Sequence, residues 1–274
     1  MAFDTPLPRS VVSAPLNYLV PMAERPVSYN YEPPPGVPWR TGQYVAQTVP
    51  IVDGRTSAEA LSLDEQGFQL VRHESAVRDF YDAEEVKQRY HAEVEQLVKQ
   101  ATGAKRVVVF DTTVRSARVE QPGGAVREPA RRLHNDYTEK SGPQRVRDLL
   151  PDEADALLKR RFAVVNVWRP IKGPLLDTPL ALCDARSIAA KDFIATDLKY
   201  PDRTGEIYSV TYSPEHRWYY FPRMQRDEAV LIKCYDSARD GRARFTAHGA
   251  FEDPTTPAGT PPRESIEART LVFF

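Results

Sequence analysis

The chain is poor in the residues that usually announce a function. Only two cysteines occur in 274 residues. Both Cys183 and Cys234 sit in apolar, strand-like runs, so they read as buried thiols, and no C-x-x-C spacing offers a zinc site. Neither sign of charge is in excess. A formal net charge of −1 gives no electrostatic case for nucleic acid or an anionic membrane as a partner, and basic pairs such as Arg131–Arg132 are scattered over what should be solvated surface. No apolar run approaches a membrane span. The opening residues are broken by prolines and contain no continuous apolar segment of the kind a signal peptide needs, so a cytoplasmic location is the expectation. Histidine is scarce too, at five, so the neighbours of each one are informative.

What is present suits a globular protein. Hydrophobic residues make up 41% and charged residues 27%, enough to build one large core. Prolines number 24, many in the first fifty positions. A stretch such as "YNYEPPPGVPWR" cannot be regular helix and should run extended. Residues 1–45 are therefore expected to form a Pro-rich arm lying over a domain of residues 46–274, where it would enclose the site and leaves room for a homodimer interface. The clearest helix is "DAEEVKQRYHAEVEQLVKQATG", with Asp82 as its cap, Glu85 in the reciprocal capping position, Gly103 at its end, and Val86, Tyr90, Val94 and Leu97 along one face. Residues 152–161 predict a second helix. The rest reads as strands, among them "KRVVVFDTTV", "FAVVNVWRP", "EAVLIKCYD", "RARFTAHGAF" and "SIEARTLVFF". Many short strands without β-α alternation argue against a doubly wound sheet. They predict a mainly β fold with flanking helices, of the jelly-roll kind.

The stretch "RRLHNDYTEK" carries the first chemical signal. On a strand, residues i and i+2 share a face, so His134 and Asp136 would project together with Asn135 turned away. They would be two members of a two-histidine, one-carboxylate triad, the arrangement that binds Fe(II) and leaves coordination positions open. Alone, an H-x-D tripeptide is more often a hydrogen-bonded or surface pair. Two downstream histidines are candidates for the third ligand. His216 begins an aromatic strand in "SPEHRWYYFP", whereas His248 ends "RARFTAH" and is followed by the small pair Gly249–Ala250. After His248 comes a Pro/Thr loop and then "PPRESIEARTLVFF", in which Arg263 and Ser265 share a strand face. An arginine fork beside a hydroxyl is suited to gripping a carboxylate. Arg269 lies on the same strand parity and is the rival anchor. Trp218, Tyr219 and Tyr220 could line a pocket, but an aromatic strand is more often plain core.

The order H-x-D, distant His, then R-x-S resembles the Fe(II)/2-oxoglutarate-dependent oxygenases. More narrowly, "HNDYT", "NVWRP", "LIKCYDS" and "RESIEARTLVF" resemble the CmcJ-like, cephalosporin 7α-methoxylase-related hydroxylase/desaturase proteins, over roughly residue 45 to the C-terminus. The resemblance implies a double-stranded β-helix with Fe(II), 2-oxoglutarate and O2 as cofactors. It implies His134, Asp136 and His248 as iron ligands, and Arg263 with Ser265 for the distal carboxylate of 2-oxoglutarate. Asn166 would help seat the cosubstrate. The substrate would be a small organic molecule, hydroxylated, desaturated or cyclised in secondary metabolism. Two other readings compete: a cupin-type metal hydrolase or isomerase, which needs no R-x-S strand, and a non-catalytic small-molecule-binding barrel, which needs no coordinating triad.

Overall fold

The computed structural model describes residues 10–116, 126–127 and 129–274. These residues build two sheets. The larger has the order β1 (Val11–Leu19), β3 (Tyr44–Asp53), β12 (Trp218–Tyr220), β9 (Leu180–Cys183), β14 (His248–Ala250), β7 (His134–Asn135), β11 (Thr204–Val210), β10 (Phe193–Lys199), β2 (Val27–Tyr29). The smaller has the order β4 (Phe68–Arg72), β13 (Glu228–Asp236), β8 (Phe162–Pro170), β15 (Glu264–Phe273), β5 (Arg106–Ser116), β6 (Val126–Arg127). The sheets pack face to face as a jelly roll. Phe68, Phe162, Trp168, Val230 and Ile232 from the smaller sheet meet Leu180, Leu182 and Tyr219 from the larger in one apolar cluster.

Strands β8 and β13 are buried at every position, and a helix is the reason. The helical stretch begins as α1 (Ala83–Glu85), passes through a π-helical turn (Val86–Tyr90) and continues as α2 (His91–Thr102). Its apolar side, with Tyr90, Val94, Leu97 and Val98, covers Ala163, Val165, Val167, Ala229 and Leu231 on the outer face of the smaller sheet. Asp82 caps it through the Glu84 and Glu85 amides, and Gly103 ends it with a φ of 71°. The expected capping box does not close, because the Glu85 carboxylate accepts instead from the amides of Arg78 and Asp79. The predicted second helix shrinks to α4 (Ala154–Leu157), and a longer one, α3 (Ser141–Leu149), precedes it. Its Gly142 and Pro143 read as breakers in sequence, but both fall in the first turn, where proline's missing N–H costs nothing.

The stretch expected as an extended arm supplies two strands from its described residues. β1 pairs antiparallel with β3 from Val11↔Val52 to Leu19↔Tyr44, and β2 pairs parallel with β10. Alternate residues Val12, Ala14, Leu16 and Tyr18 pack with Leu133, Ala181, Cys183, Val210 and Trp218. This cluster lies on the opposite face of the larger sheet from Leu180 and Leu182. Among the described residues, Pro15 lies within β1, whereas Pro21, Pro26, Pro33, Pro34, Pro35 and Pro38 fall outside the strands. Both cysteines are buried and free, and no helix among the described residues is long and apolar enough to cross a membrane.

One glycine ties the smaller sheet to the larger. Gly67 holds a φ of 88°, and its carbonyl accepts from the Lys233 amide at 2.8 Å and the Thr246 hydroxyl at 2.9 Å. A Cβ there would run into Thr246 Oγ1. Gly67→Ala should therefore cost about 1–3 kcal/mol, because both the φ and the close approach resist a side chain. Urea unfolding measures it, and an unchanged midpoint would show that the loop relaxes freely.

Candidate active site

The centre of the larger sheet brings two histidines together. His248 on β14 is the direct antiparallel partner of His134 on β7, and the ring centroids lie 4.6 Å apart. Each ring is oriented by its own backbone: His134 Nδ1 meets the Arg132 carbonyl at 2.8 Å, and His248 Nδ1 meets the Thr246 carbonyl at 2.8 Å. A proton on Nδ1 satisfies both contacts and leaves each Nε2 with a free lone pair. Burial, then the neighbouring His134, lowers the pKa of His248 and keeps it in the neutral form that can ligate a metal.

Asp136 follows one residue beyond β7, with its Oδ1 3.4 Å from His134 Nε2. The intervening Asn135 is fully buried and faces away, as the i/i+2 reading requires. Its amide donates to the carbonyls of Tyr137 and Cys234 and accepts from the Thr246 amide, so one side chain staples β7 to the segment that carries His248. Burial opposes ionisation of Asp136, but the Arg269 guanidinium, and after it His134, outweigh that cost and hold the carboxyl well below its usual range. Ligand atoms of His134, Asp136 and His248 all lie within 4.8 Å of one another. Two imidazoles and one carboxylate with converging ligand atoms form a donor set that fits a divalent iron.

The two candidate arginines separate sharply. Arg269 is surrounded by acids: Nε donates to Asp136 Oδ2 at 2.9 Å, Nη2 to Glu267 Oε2 at 2.8 Å and Nη1 to Asp111 Oδ2 at 2.7 Å. Arg263 is 4% exposed and packs 5.4 Å from the Trp168 ring. Its Nη1 donates to the Thr178 carbonyl at 2.7 Å, while Nε has no partner. Among the described residues no carboxylate lies within ion-pair distance of its guanidinium. Burial, and then the nearby Arg115, push its pKa below the ordinary arginine value. Ser265 Oγ, two residues along the same face, is also buried and unpartnered. Asn166 is buried, but both donated hydrogen bonds from its Nδ2 go to carboxylates, Asp136 at 2.8 Å and Glu267 at 2.9 Å, which leaves Oδ1 unpartnered. It is thus placed to steady Asp136, and what remains is an acceptor. Sequence reasoning missed Glu267, Asp111 and Asn135; Glu267 could have been found, since it sits between Ser265 and Arg269 on their shared face.

The remaining candidates lie elsewhere. His216 stacks on Tyr18 and its Nε2 is 3.2 Å from Asp192 Oδ2. Trp218 is fully buried, and its indole N–H donates to the Tyr18 hydroxyl. Tyr18 and Trp218 belong to the apolar cluster that β1 shares with its neighbours on one face of the larger sheet.

Comparison with known proteins agrees with this geometry. A family model described as an oxidoreductase/YMDC permease-like domain matches residues 16–273. The hydroxylase/desaturase efuI of Hormonema carpetanum is 36% identical over 85% of each chain. The Fe(II)/2-oxoglutarate-dependent dioxygenase nvfI of Aspergillus novofumigatus (strain IBT 16806) is 35% identical over 89% of this chain and 90% of its own. The solved structure of the iron and alpha-ketoglutarate-dependent endoperoxidase NvfI superposes with a TM-score of 0.89 at 31% identity, covering 96% of this chain and 98% of the other. The chain belongs to this oxygenase family. This Fe(II)/2-oxoglutarate-dependent dioxygenase therefore uses Fe(II), 2-oxoglutarate and O2, and the hydrolase and non-catalytic readings are set aside.

The two histidine assignments separate in one experiment. His248→Ala should abolish tight binding of Fe(II) or Mn(II) to the metal-free oxygenase, because it deletes one of the three candidate donors. His216→Ala should lower stability through lost packing against Tyr18 and leave metal affinity as it was. Calorimetric titration of both variants is the check, and the reverse pattern would mean the wrong histidine is assigned.

Proposed function

We propose that His134, Asp136 and His248 hold the Fe(II) of this oxygenase, and that Arg263, with Ser265, holds the far carboxylate of 2-oxoglutarate. The observation that carries this reading is a buried guanidinium without an acid partner among the described residues, in line with the face of β15 that carries Arg269. A guanidinium buried without an anion is costly, so its persistence points to a ligand that brings one. Bound iron, with 2-oxoglutarate and O2, supplies the oxidant that removes hydrogen from the substrate. The chain's own groups set the conditions. The backbone carbonyls of Arg132 and Thr246 fix both imidazoles, Asp136 contributes the anionic ligand, and Trp168 walls the Arg263 pocket from water. In that drier setting two parallel charge-assisted bonds from a fork are stronger than at the surface.

The substrate is a small organic molecule, and the reaction is hydroxylation, desaturation or cyclisation, in line with the hydroxylase/desaturase and endoperoxidase names of the relatives. The resemblance to biosynthetic proteins supports a place in secondary metabolism, and a cytoplasmic location is part of the same proposal. Residues 46–274 are proposed as the catalytic unit, with residues 1–45 covering it and available to a homodimer contact.

Anaerobic titration with Fe(II) and then 2-oxoglutarate should develop a weak visible charge-transfer band, and Asp136→Ala should lose it together with metal binding. Arg263→Ala should raise the apparent KM for 2-oxoglutarate by an amount worth roughly 2–5 kcal/mol, because the cosubstrate carboxylate is then buried unpaired. Arg263→Lys should fall between, since a lysine offers a point charge without the fork. Succinate formation reads all three proteins, and an Arg263→Ala enzyme with an unchanged KM would overturn the assignment.

A further inference from the structure

The Arg269 guanidinium has a different task from that of Arg263. We infer that Arg269 is a positioning residue which, with Asn166, occupies one oxygen of Asp136 and so restricts this carboxylate to binding metal through the other. The inference rests on the proposed reading of Asp136 as a ligand.

Asp136 Oδ2 accepts two hydrogen bonds, from Arg269 Nε at 2.9 Å and from Asn166 Nδ2 at 2.8 Å. Oδ1 accepts neither and faces His134 Nε2. A carboxylate with two donors on one oxygen presents its remaining lone pairs from the other. Bidentate binding would require giving up at least one of these bonds. The donors arrive from rigid elements, since Arg269 on β15 and Asn166 on β8 are direct cross-strand partners in the interior of the smaller sheet.

Glu267 closes the arrangement into a ring. It accepts from Arg269 Nη2 at 2.8 Å and from Asn166 Nδ2 at 2.9 Å, so each donor side chain bridges the same two carboxylates. Neither donor can turn away from Asp136 without also leaving Glu267. Asp111 and Thr113 take Arg269 Nη1 at 2.7 and 3.1 Å. All three guanidinium nitrogens are thereby committed, and no fork remains for a cosubstrate carboxylate. Partners that orient a metal ligand commonly matter about 10–100-fold in metal affinity, the scale expected here.

The test uses the full-length protein stripped of metal, titrated anaerobically with Co(II) in the absence of 2-oxoglutarate. Arg269→Gln should weaken Co(II) binding about 10–100-fold and alter the visible d–d spectrum, because a released carboxylate can bind through both oxygens and change the coordination number. Arg269→Lys should recover part of the affinity. Arg263→Ala should leave affinity and spectrum as in the parent protein in this cosubstrate-free titration, because its guanidinium donates to the Thr178 carbonyl and to none of the three ligand side chains. Should Arg269→Gln fail to fold, Asn166→Ser removes the other donor to Oδ2 while retaining the Arg269–Glu267 pair, and it should shift affinity and spectrum in the same sense. A folded variant with parent affinity and spectrum overturns the proposal. So does an Arg269 variant whose only defect is a raised KM for 2-oxoglutarate, which would make it the anchor. Asp136→Ala separates the two levels of the argument. If that variant keeps parent Co(II) affinity, the ligand assignment itself has failed, whatever Arg269 does.

Discussion

The pairing of His134 with His248 across β7 and β14 is the contact on which the site's geometry depends. Neither strand is long: β7 has two residues and β14 three. Such short strands could not hold a register by themselves, because a slip of one residue would send every side chain to the opposite face. The register is held instead from the sides. Asn135 binds backbone groups of Tyr137, Cys234 and Thr246. The Thr246 hydroxyl reaches the Gly67 carbonyl, and Leu182 pairs with His248 from β9. A polar side chain inside the core thus does what strand length does elsewhere, and it does so one residue from each of two ligand-type side chains.

The same interior treats two arginines in opposite ways. Arg269 lies among three carboxylates, whereas Arg263, six residues earlier on the same strand face, has a carbonyl and an aromatic ring. Coulomb attraction in a low-dielectric setting makes the first pairing strong and the second incomplete. A bound dicarboxylate would find Arg269 already saturated. The contrast explains why two residues that are equivalent in composition and parity are not equivalent in chemistry.

How far this could be seen in the sequence differs by element. The helix ending at Gly103 was legible because its apolar spacing and its stop signal agree. His134 and Asp136 were legible because alternation on a strand is a local rule, and it survives although Asp136 lies just past the strand's end. Arg263 was preferred to Arg269 through the R-x-S resemblance, but strand parity alone did not separate them, since the difference comes from Asp111 and Asp136, each more than a hundred residues away in the chain. Helix α3 was hidden by Gly142 and Pro143, whose breaker character disappears in a first turn. The capping role of Glu85 was misread because Arg78 and Asp79, on the preceding loop, compete for its carboxylate.

Polar residues at interior strand positions mark where fold and function part company. β8 is buried throughout, yet carries Asn166; the mostly buried β15 carries Ser265, Glu267 and Arg269 on one face. Apolar residues there would pack the barrel with less desolvation cost. The polar atoms are only partly satisfied among the described residues: Asn166 Oδ1, Ser265 Oγ and, just before the strand, Arg263 Nε have no partner there. These three side chains border the same barrel face as the carboxylate beside the two histidines. An interior that leaves polar atoms unmatched is destabilised until something matches them, so ligands that do so bind the folded state and stabilise it by mass action. The local conflict with an apolar core is what the proposed cosubstrate site at Arg263 and Ser265 would leave in the sequence.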